Sequence, residues 1–276
     1  MSIDAIAEHS PLGKPSAYCA DYNPALLFPI SRQFKRDEIG IHAQVLPFRG
    51  VDVWTAYELS WLNGKGKPVV ALAEFVFPAD SPNIIESKSF KLYLNSFNGT
   101  RFDTQAQVAQ QLQQDLTQAA GAPVKVKVLP IDREQKLVGD LEDAMCLDHQ
   151  DIAIDTYQLN PEQLKVGSEN VEETLYSHLL KSNCLVTGQP DWATLVIKYR
   201  GKRIERAGLL RYIVSFRNHN EFHEQCVERI FTDIEKYCQP DALTVYARYV
   251  RRGGLDINPF RSNFQSNSDM PRFVRQ

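Results

Sequence analysis

No apolar run in the 276-residue chain approaches the ~20 residues of a helical membrane span. Charge of one sign is not in excess either: 31 Lys and Arg stand against 34 Asp and Glu, a formal charge of −3. That balance implies no general attraction to nucleic acid or to an anionic membrane. Cysteine is scarce, with Cys19, Cys146, Cys184, Cys226 and Cys238 making five in all. Their odd number and the lack of CxxC spacing argue against a disulfide framework and against a zinc ribbon. A reducing compartment fits that usage. The opening MSIDAIAEHS has no apolar core, so no secretion signal and a cytoplasmic location are expected. Neither GxGxxG nor GxxxxGK[ST] occurs, so any nucleotide must be held without a Rossmann or P-loop cradle.

What is present is an ordinary globular composition, 43% hydrophobic and 24% charged, long enough for one large domain or two of about 130 residues. Residues 1–50 carry Pro and Gly breaks and read as an irregular arm with short elements. VDVWTAYELSWLN and PVVALAEFVF are β-branched and aromatic and flank GKGK, a hairpin signal. ESKSFKLYLNSF has Phe90, Tyr93, Leu94 and Phe97 at helical spacing. TQAQVAQQLQQDLTQAAG shows a stripe of Val108, Leu112 and Leu116, with Gly121 as the stop. VKVKVLPI alternates as a strand.

The second half repeats this. ERAGLLRYIVSF aligns with ESKSFKLYLNSF at an offset of 119, matching Glu86 to Glu205, Tyr93 to Tyr212, Ser96 to Ser215 and Phe97 to Phe216. The same offset carries Val108 to Val227 and Leu112 to Phe231. A shift shared by two helices and a strand indicates a duplicated strand–strand–helix–helix–strand unit. Each unit would lay two helices on one face of an antiparallel sheet, an α+β arrangement. The boundary is expected near residue 150, giving modules 1–150 and 151–276.

The copies differ where chemistry would sit. With a one-residue gap that aligns Asn63 with Asn183, GKGKP faces CLVTGQPD, and Thr104–Gln105 faces His223–Glu224. A thiol, Cys184, and a carboxyl, Asp191, at the two ends of one tight loop suit a cysteine nucleophile with its own proton carrier. The alternative is a buried structural cysteine beside a turn aspartate. His223 lies one turn before Val227 on the apolar stripe of FHEQCVERIFTDIEKYC, at a helix start that favours an anionic ligand. Glu224 sits beside it, rotated by about 100°. A satisfied core histidine with a solvated glutamate is the plain alternative. His219, His223 and Cys226 fall at i, i+4 and i+7, a spacing that could hold zinc. Arg251, Arg252, Gly253 and Gly254 make a cationic turn that a phosphate could approach, or else a solvated basic loop.

ESKSFKLY, CLVTGQPD, HNEFHEQC and RRGGLDINPFRS, in that order, resemble the QueF family, the NADPH-dependent 7-cyano-7-deazaguanine reductases of queuosine biosynthesis, in its long two-module type. The resemblance covers nearly the whole chain. It implies tandem tunnelling-fold units, assembled as a homodimer. It implies that Cys184 is the nucleophile and Asp191 the general acid/base. It implies that Ile85, Glu86, Ser87, His223 and Glu224 hold the deazaguanine, and that Ser87, Lys88, Arg252 and Gly253 hold NADPH, with no metal. The implied residues come from both halves of the chain. A zinc-dependent pterin-type cyclohydrolase and a non-catalytic purine-binding module are the other readings of the same fold.

Overall fold

The computed structural model describes Lys14, 18–42, 45–131, Leu141, 143–266 and 271–276. The opening ten residues, read above for a secretion signal, lie outside the described residues. The chain divides into two compact units. Unit 1 takes Met1–Ala43, Asp52–Gln135 and Arg251–Asp256; unit 2 takes Gln44–Val51, Lys136–Val250 and Ile257–Gln276. The strands are β1 (Pro29–Ser31), β2 (Arg49–Leu62), β3 (Pro68–Pro78), β4 (Asn83–Ile85), β5 (Lys125–Leu129), β6 (Met145–Cys146), β7 (Val166–Asn183), β8 (Pro190–Ile204), β9 (Ala242–Tyr249) and β10 (Leu255–Ser262). The helices are α1 (Gln33–Arg36), α2 (Ser87–Asn95), α3 (Gln105–Ala120), α4 (Arg206–Ser215) and α5 (His223–Cys238). The fold is mixed α and β, and its strand pairing is mostly antiparallel.

In unit 1 the strand order is β5–β3–β2, with β3 and β5 antiparallel. Phe90 of α2 is fully buried against Trp54 of β2 and Phe75 and Phe77 of β3, at ring-centroid distances of 5.2, 5.0 and 6.3 Å. Burying one such ring contributes roughly 1.5–3 kcal/mol. Helix α3 begins at a capping box, Thr104 with Gln107, and ends at Gly121 in the left-handed conformation, φ 72°. Among the described residues of the arm the elements are short, as expected. Asn23 caps a short 3-10 turn, Pro24–Leu26, and β1 pairs with β4.

In unit 2 the order is β10–β9–β8–β7–β6, antiparallel except for the short β6. Helix α5 buries Val227, Ile230, Phe231, Ile234 and Cys238, the stripe read from the sequence, but Cys226 and the Glu228–Arg261 ion pair are buried as well. It is therefore buried round more of its surface than a single stripe implies.

Each unit has the strand–strand–helix–helix–strand order. Tyr93 of α2 donates to Asp115 of α3 at 2.6 Å, and Tyr212 of α4 donates to Asp233 of α5 at 2.7 Å. Ser96 Oγ and Ser215 Oγ donate to the carbonyls of Tyr93 and Tyr212, both at 2.6 Å. The same hydroxyls accept from the backbone N–H of Asn23 and of Asn160, which caps the turn Pro161–Gln163. The offset of 119 holds for the first helix but not throughout. Helices α3 and α5 start at Gln105 and His223 and have left-handed caps at Gly121 and Gln239, an offset of 118. His223 and Glu224 thus take the places of Gln105 and Ala106. Leu62, rather than Asn63, takes the place of Asn183, because each makes the parallel bridge that follows the first helix, to Arg101 and to Asn220. Turns of unequal length absorb these slips: the sequence alignment allows a one-residue gap at this hairpin, and the bridges require two.

Candidate active site

Cys184 opens the turn between β7 and β8. Ser182 pairs with Asp191 and Asn183 with Pro190. The turn is closed by the Cys184 N–H donating to the Gln189 carbonyl at 2.8 Å and the Gly188 N–H donating to the Cys184 carbonyl at 3.0 Å. Gly188 has φ 65°, where a side chain would be strained. Cys184 is 6% exposed and Asp191, second residue of β8, is 4% exposed. The thiol and the carboxyl therefore sit on one hairpin, and both are largely withdrawn from water.

Asp191 meets the start of α5. His223 Nε2 lies 3.6 Å from Asp191 Oδ1, close enough for an ion pair when the ring is protonated and long for a hydrogen bond. The ring is held edge-on to Tyr249 of β9, with centroids 4.1 Å apart. Burial, chiefly, pushes the Tyr249 hydroxyl well above its usual range, and neighbouring Cys226 and Asp191 add to the shift. Ser182 and Cys226 lie against that hydroxyl, and burial pushes the Cys226 thiol up to about 12. Phe222 caps α5 without a side-chain bond, which leaves the helix start to other acceptors. Glu224 is 3% exposed, so it is a buried carboxylate and not a solvated one.

Ahead of α5 runs an extended segment, His219 to Phe222, stitched to the end of β7. The Asn183 N–H donates to the His219 carbonyl at 2.9 Å, and the Glu221 N–H donates to the Asn183 carbonyl at 3.0 Å. Asn183 Nδ2 donates to Asn220 Oδ1 at 3.1 Å. The Glu221 carboxylate turns inward and accepts from Arg229 Nε at 2.9 Å, Arg229 Nη2 at 2.7 Å and His219 Nε2 at 3.0 Å. Burial pushes this carboxyl up, but the bonds and charges of His219 and Arg229 outweigh it and hold it below the usual range. His219 is thus outside the helix and committed to Glu221, so the i, i+4, i+7 set does not share a helix face. Lys181, the cation nearest Cys184 in sequence, donates to Asn183 Oδ1 and to the Arg217 carbonyl, both at 2.6 Å.

Unit 1 holds the remaining expected residues. Ile85 pairs with Pro29, and Glu86 caps α2. Its two oxygens accept from the N–H groups of Lys88 at 2.6 Å and Ser89 at 2.7 Å. Burial raises the Glu86 carboxyl, and those bonds pull it part of the way back. Ser87 is the first residue of α2, and Lys88 Nζ donates to the Lys14 carbonyl. Arg252 and Leu255 exchange both backbone bonds across Gly253 and Gly254, at φ 57° and 78°. That is a two-residue hairpin with both central residues left-handed. Arg251 lies 4.6 Å over the ring of Tyr57, whose hydroxyl donates to Asp256 at 2.5 Å. Arg252 and Gly253 are exposed.

Sequence reasoning missed Tyr249, Ser182, Asn183, Glu221 and Arg229. Tyr249 ends a strand buried at all eight positions, so no alternation marks the side facing His223. Glu221 and Arg229 are eight apart across a helix boundary, a spacing with no periodic signature.

Residues 18–128 match the family described as nitrile reductase, 7-cyano-7-deazaguanine-reductase N-terminal, and residues 190–268 match the QueF-like protein family. The chain is 59% identical over 271 residues to the NADPH-dependent 7-cyano-7-deazaguanine reductase of Hydrogenovibrio crunogenus, covering 98% of each chain. It is 61% identical over 271 residues to the protein of that name in an Azoarcus species, covering 98% of this chain and 96% of the relative. It is 62% identical over 269 residues to that of Dechloromonas aromatica, covering 97% and 95%. With two family matches in order and full-length relatives at this identity, the chain belongs to the QueF family of 7-cyano-7-deazaguanine reductases.

Proposed function

We propose that the protein reduces the nitrile of 7-cyano-7-deazaguanine to the aminomethyl base, with NADPH as reductant, in queuosine biosynthesis. The observation that carries this is the match, at 59–62% identity over 97–98% of the chain, to relatives named for that activity. Cys184 and Asp191 on one hairpin, with His223 beside the carboxylate, support it chemically. Cys184 Sγ adds to the nitrile carbon, a C–S bond replaces one C–N π bond, and the thiol proton passes through Asp191 to nitrogen. The product is a thioimide. Its carbon accepts a hydride more readily than the nitrile does and, with a proton from solvent passed to nitrogen through Asp191, becomes a tetrahedral thiohemiaminal. The C–S bond then breaks, sulfur keeps its electrons and regains a proton given up by nitrogen, and the imine so formed takes a second hydride and a second solvent proton to give the amine. NADPH supplies, when bound, the hydride for each of these two reductions.

Asp191 holds and delivers protons, and the buried start of α5 keeps water from the intermediate. Glu224 suits the donor edge of a guanine-like base, because a carboxylate accepts from a ring N–H and an amine together. His223 orients the adduct. In unit 1, Ile85, Glu86 and Ser87 are assigned to the base. Ser87, Lys88, Arg252 and Gly253 are assigned to NADPH. The exposed cationic turn fits a phosphate: nothing lies within 4 Å of where a Gly253 Cβ would stand. We assign modules 1–150 and 151–276 as tandem tunnelling-fold units, working as a homodimer in the cytoplasm. The shared helix–helix tyrosine–aspartate pair and serine–asparagine link of the two units support the tandem arrangement. Among the described residues, no helix is long and apolar enough to cross a membrane.

Mixed with 7-cyano-7-deazaguanine in the absence of NADPH, the protein should gain the mass of one nitrile. Cys184→Ala should gain none and turn over none. Two NADPH should be oxidised per nitrile reduced. An adduct that survives in Cys184→Ala, or turnover without Cys184, would overturn the mechanism.

A further inference from the structure

We infer that Glu221 is a positioning residue for the chemistry at Cys184, acting through the joint between the cysteine turn and the start of α5. The inference rests on the reductase reading above. The joint is short on both sides. Cys184 follows Asn183 directly, His223 follows Glu221 by two residues, and Asn183 and Glu221 share a backbone bond of 3.0 Å. A tilt of this segment therefore moves the thiol and the imidazole relative to each other with little chain between to absorb it.

The carboxylate itself is 1% exposed, and it is bound by both donors of the Arg229 fork and by His219. Arg229 lies six residues into α5, so Glu221 fastens the entering segment to the body of the helix it introduces. A buried charge is costly and is retained only with such pairing. The fold does not need it to make the joint. In unit 1 the Leu62 N–H donates to the Thr100 carbonyl and the Phe102 N–H donates to the Leu62 carbonyl, both at 2.9 Å. Phe102, in the place of Glu221, stacks on Phe97 with centroids 5.4 Å apart. The same backbone joint is thus closed by an aromatic in the unit without the cysteine turn, and by an ion pair in the unit that carries it. An aromatic contact tolerates sliding. A bidentate guanidinium–carboxylate pair fixes direction as well as distance.

The test is the rate and stoichiometry of adduct formation with 7-cyano-7-deazaguanine in the full-length protein, with kcat and KM for NADPH measured alongside. Glu221→Gln keeps the shape and removes the charge. It should reach full stoichiometry about 10- to 100-fold more slowly, the scale of a misplaced reacting group. KM for NADPH should be unchanged, and Glu221→Asp should recover part of the rate. An adduct formed at the wild-type rate, or a loss explained entirely by a smaller folded fraction, overturns the positioning role. Should Glu221→Gln not fold, His219→Ala removes one donor at a part-exposed position. A severalfold slower adduct then supports the role, and an unchanged rate overturns it. A wild-type protein that forms no adduct overturns the reductase reading, and the inference with it.

Discussion

The two units place their strand-to-helix joints on the same backbone bonds and fill them differently. In unit 1 the turn beside the joint is closed by Asn63, whose side chain accepts from the N–H groups of Lys65 and Lys67, both at 3.0 Å. In unit 2 the side chain of Asn183 reaches out of its turn to Asn220, and the turn opens on Cys184. The first turn is closed from within by the Asn63 side chain, with one outside bond, Arg101 Nη1 to the Gly64 carbonyl at 2.8 Å. The second is tied to the helix that carries His223 and Glu224. The scaffold is shared, and the chemistry comes from what that scaffold leaves for side chains to connect.

The sharpest way to break this comparison is at the first residues of the second strand. Pro68–Val69 opens β3 and Pro190–Asp191 opens β8. Asp191→Asn keeps the shape and removes the proton carrier, so turnover should fall by about 10²–10⁴-fold, the contribution of a positioned acid/base. Val69→Ala should leave turnover per folded molecule unchanged. Steady-state kinetics on both variants checks this. Equal losses would mean that the two turns are not functionally distinct.

A smaller effect is expected in the helix–helix pairs. Asp115 accepts from Tyr93, from Tyr22 at 2.8 Å and from Gln111 at 3.1 Å. Asp233 accepts from Tyr212 beside the charge of Arg229, and burial raises its carboxyl above the usual range. Tyr93→Phe should cost about 1 kcal/mol, because Asp115 keeps two donors. Tyr212→Phe should cost about 1.5–3 kcal/mol, because a half-buried carboxylate loses its hydroxyl donor. A raised folded pKa means that the stability contribution is full below the unfolded value and lost as pH rises through the folded one. Tyr212→Phe raises that pKa further, so its penalty should be larger at about pH 8 than at about pH 5. Urea unfolding at both values checks the size and the sign.

Legibility in the sequence follows from how each feature is encoded. Helices α2, α3 and α5 were visible because each buries a periodic stripe, and Gly121 stops α3 where the sequence places it. Cys184, Asp191, His223 and Glu224 were visible as differences between two copies. The slip from Asn63 to Leu62 was not, because turn lengths carry no periodicity. Nor was the burial of Glu224, since its neighbours in sequence do not reveal what covers it. Glu221 escaped because its meaning depends on Arg229 and on the bridge to Asn183, both set by tertiary contact.

The smallest effect separates the helix starts. Glu86 and Glu205 occupy matching positions, but Glu86 is 1% exposed and caps α2 with both oxygens, whereas Glu205 is exposed and makes no side-chain cap bond. Glu86→Ala should therefore cost about 1 kcal/mol of stability, and Glu205→Ala within about 0.5 kcal/mol of nothing. Burial raises the Glu86 carboxyl, so the native state binds its proton more tightly than the unfolded chain does. The wild-type protein should then lose some stability as pH rises from the unfolded carboxyl pKa through the raised folded one, and Glu86→Gln should flatten that slope. If the slope is unchanged in Glu86→Gln but flattened in Glu205→Gln, the assignment of the buried cap to unit 1 is wrong. If it is flattened in Glu86→Gln alone, the two helix starts differ as the geometry says: one is built around a carboxylate withdrawn from water, and the other leaves its carboxylate in it.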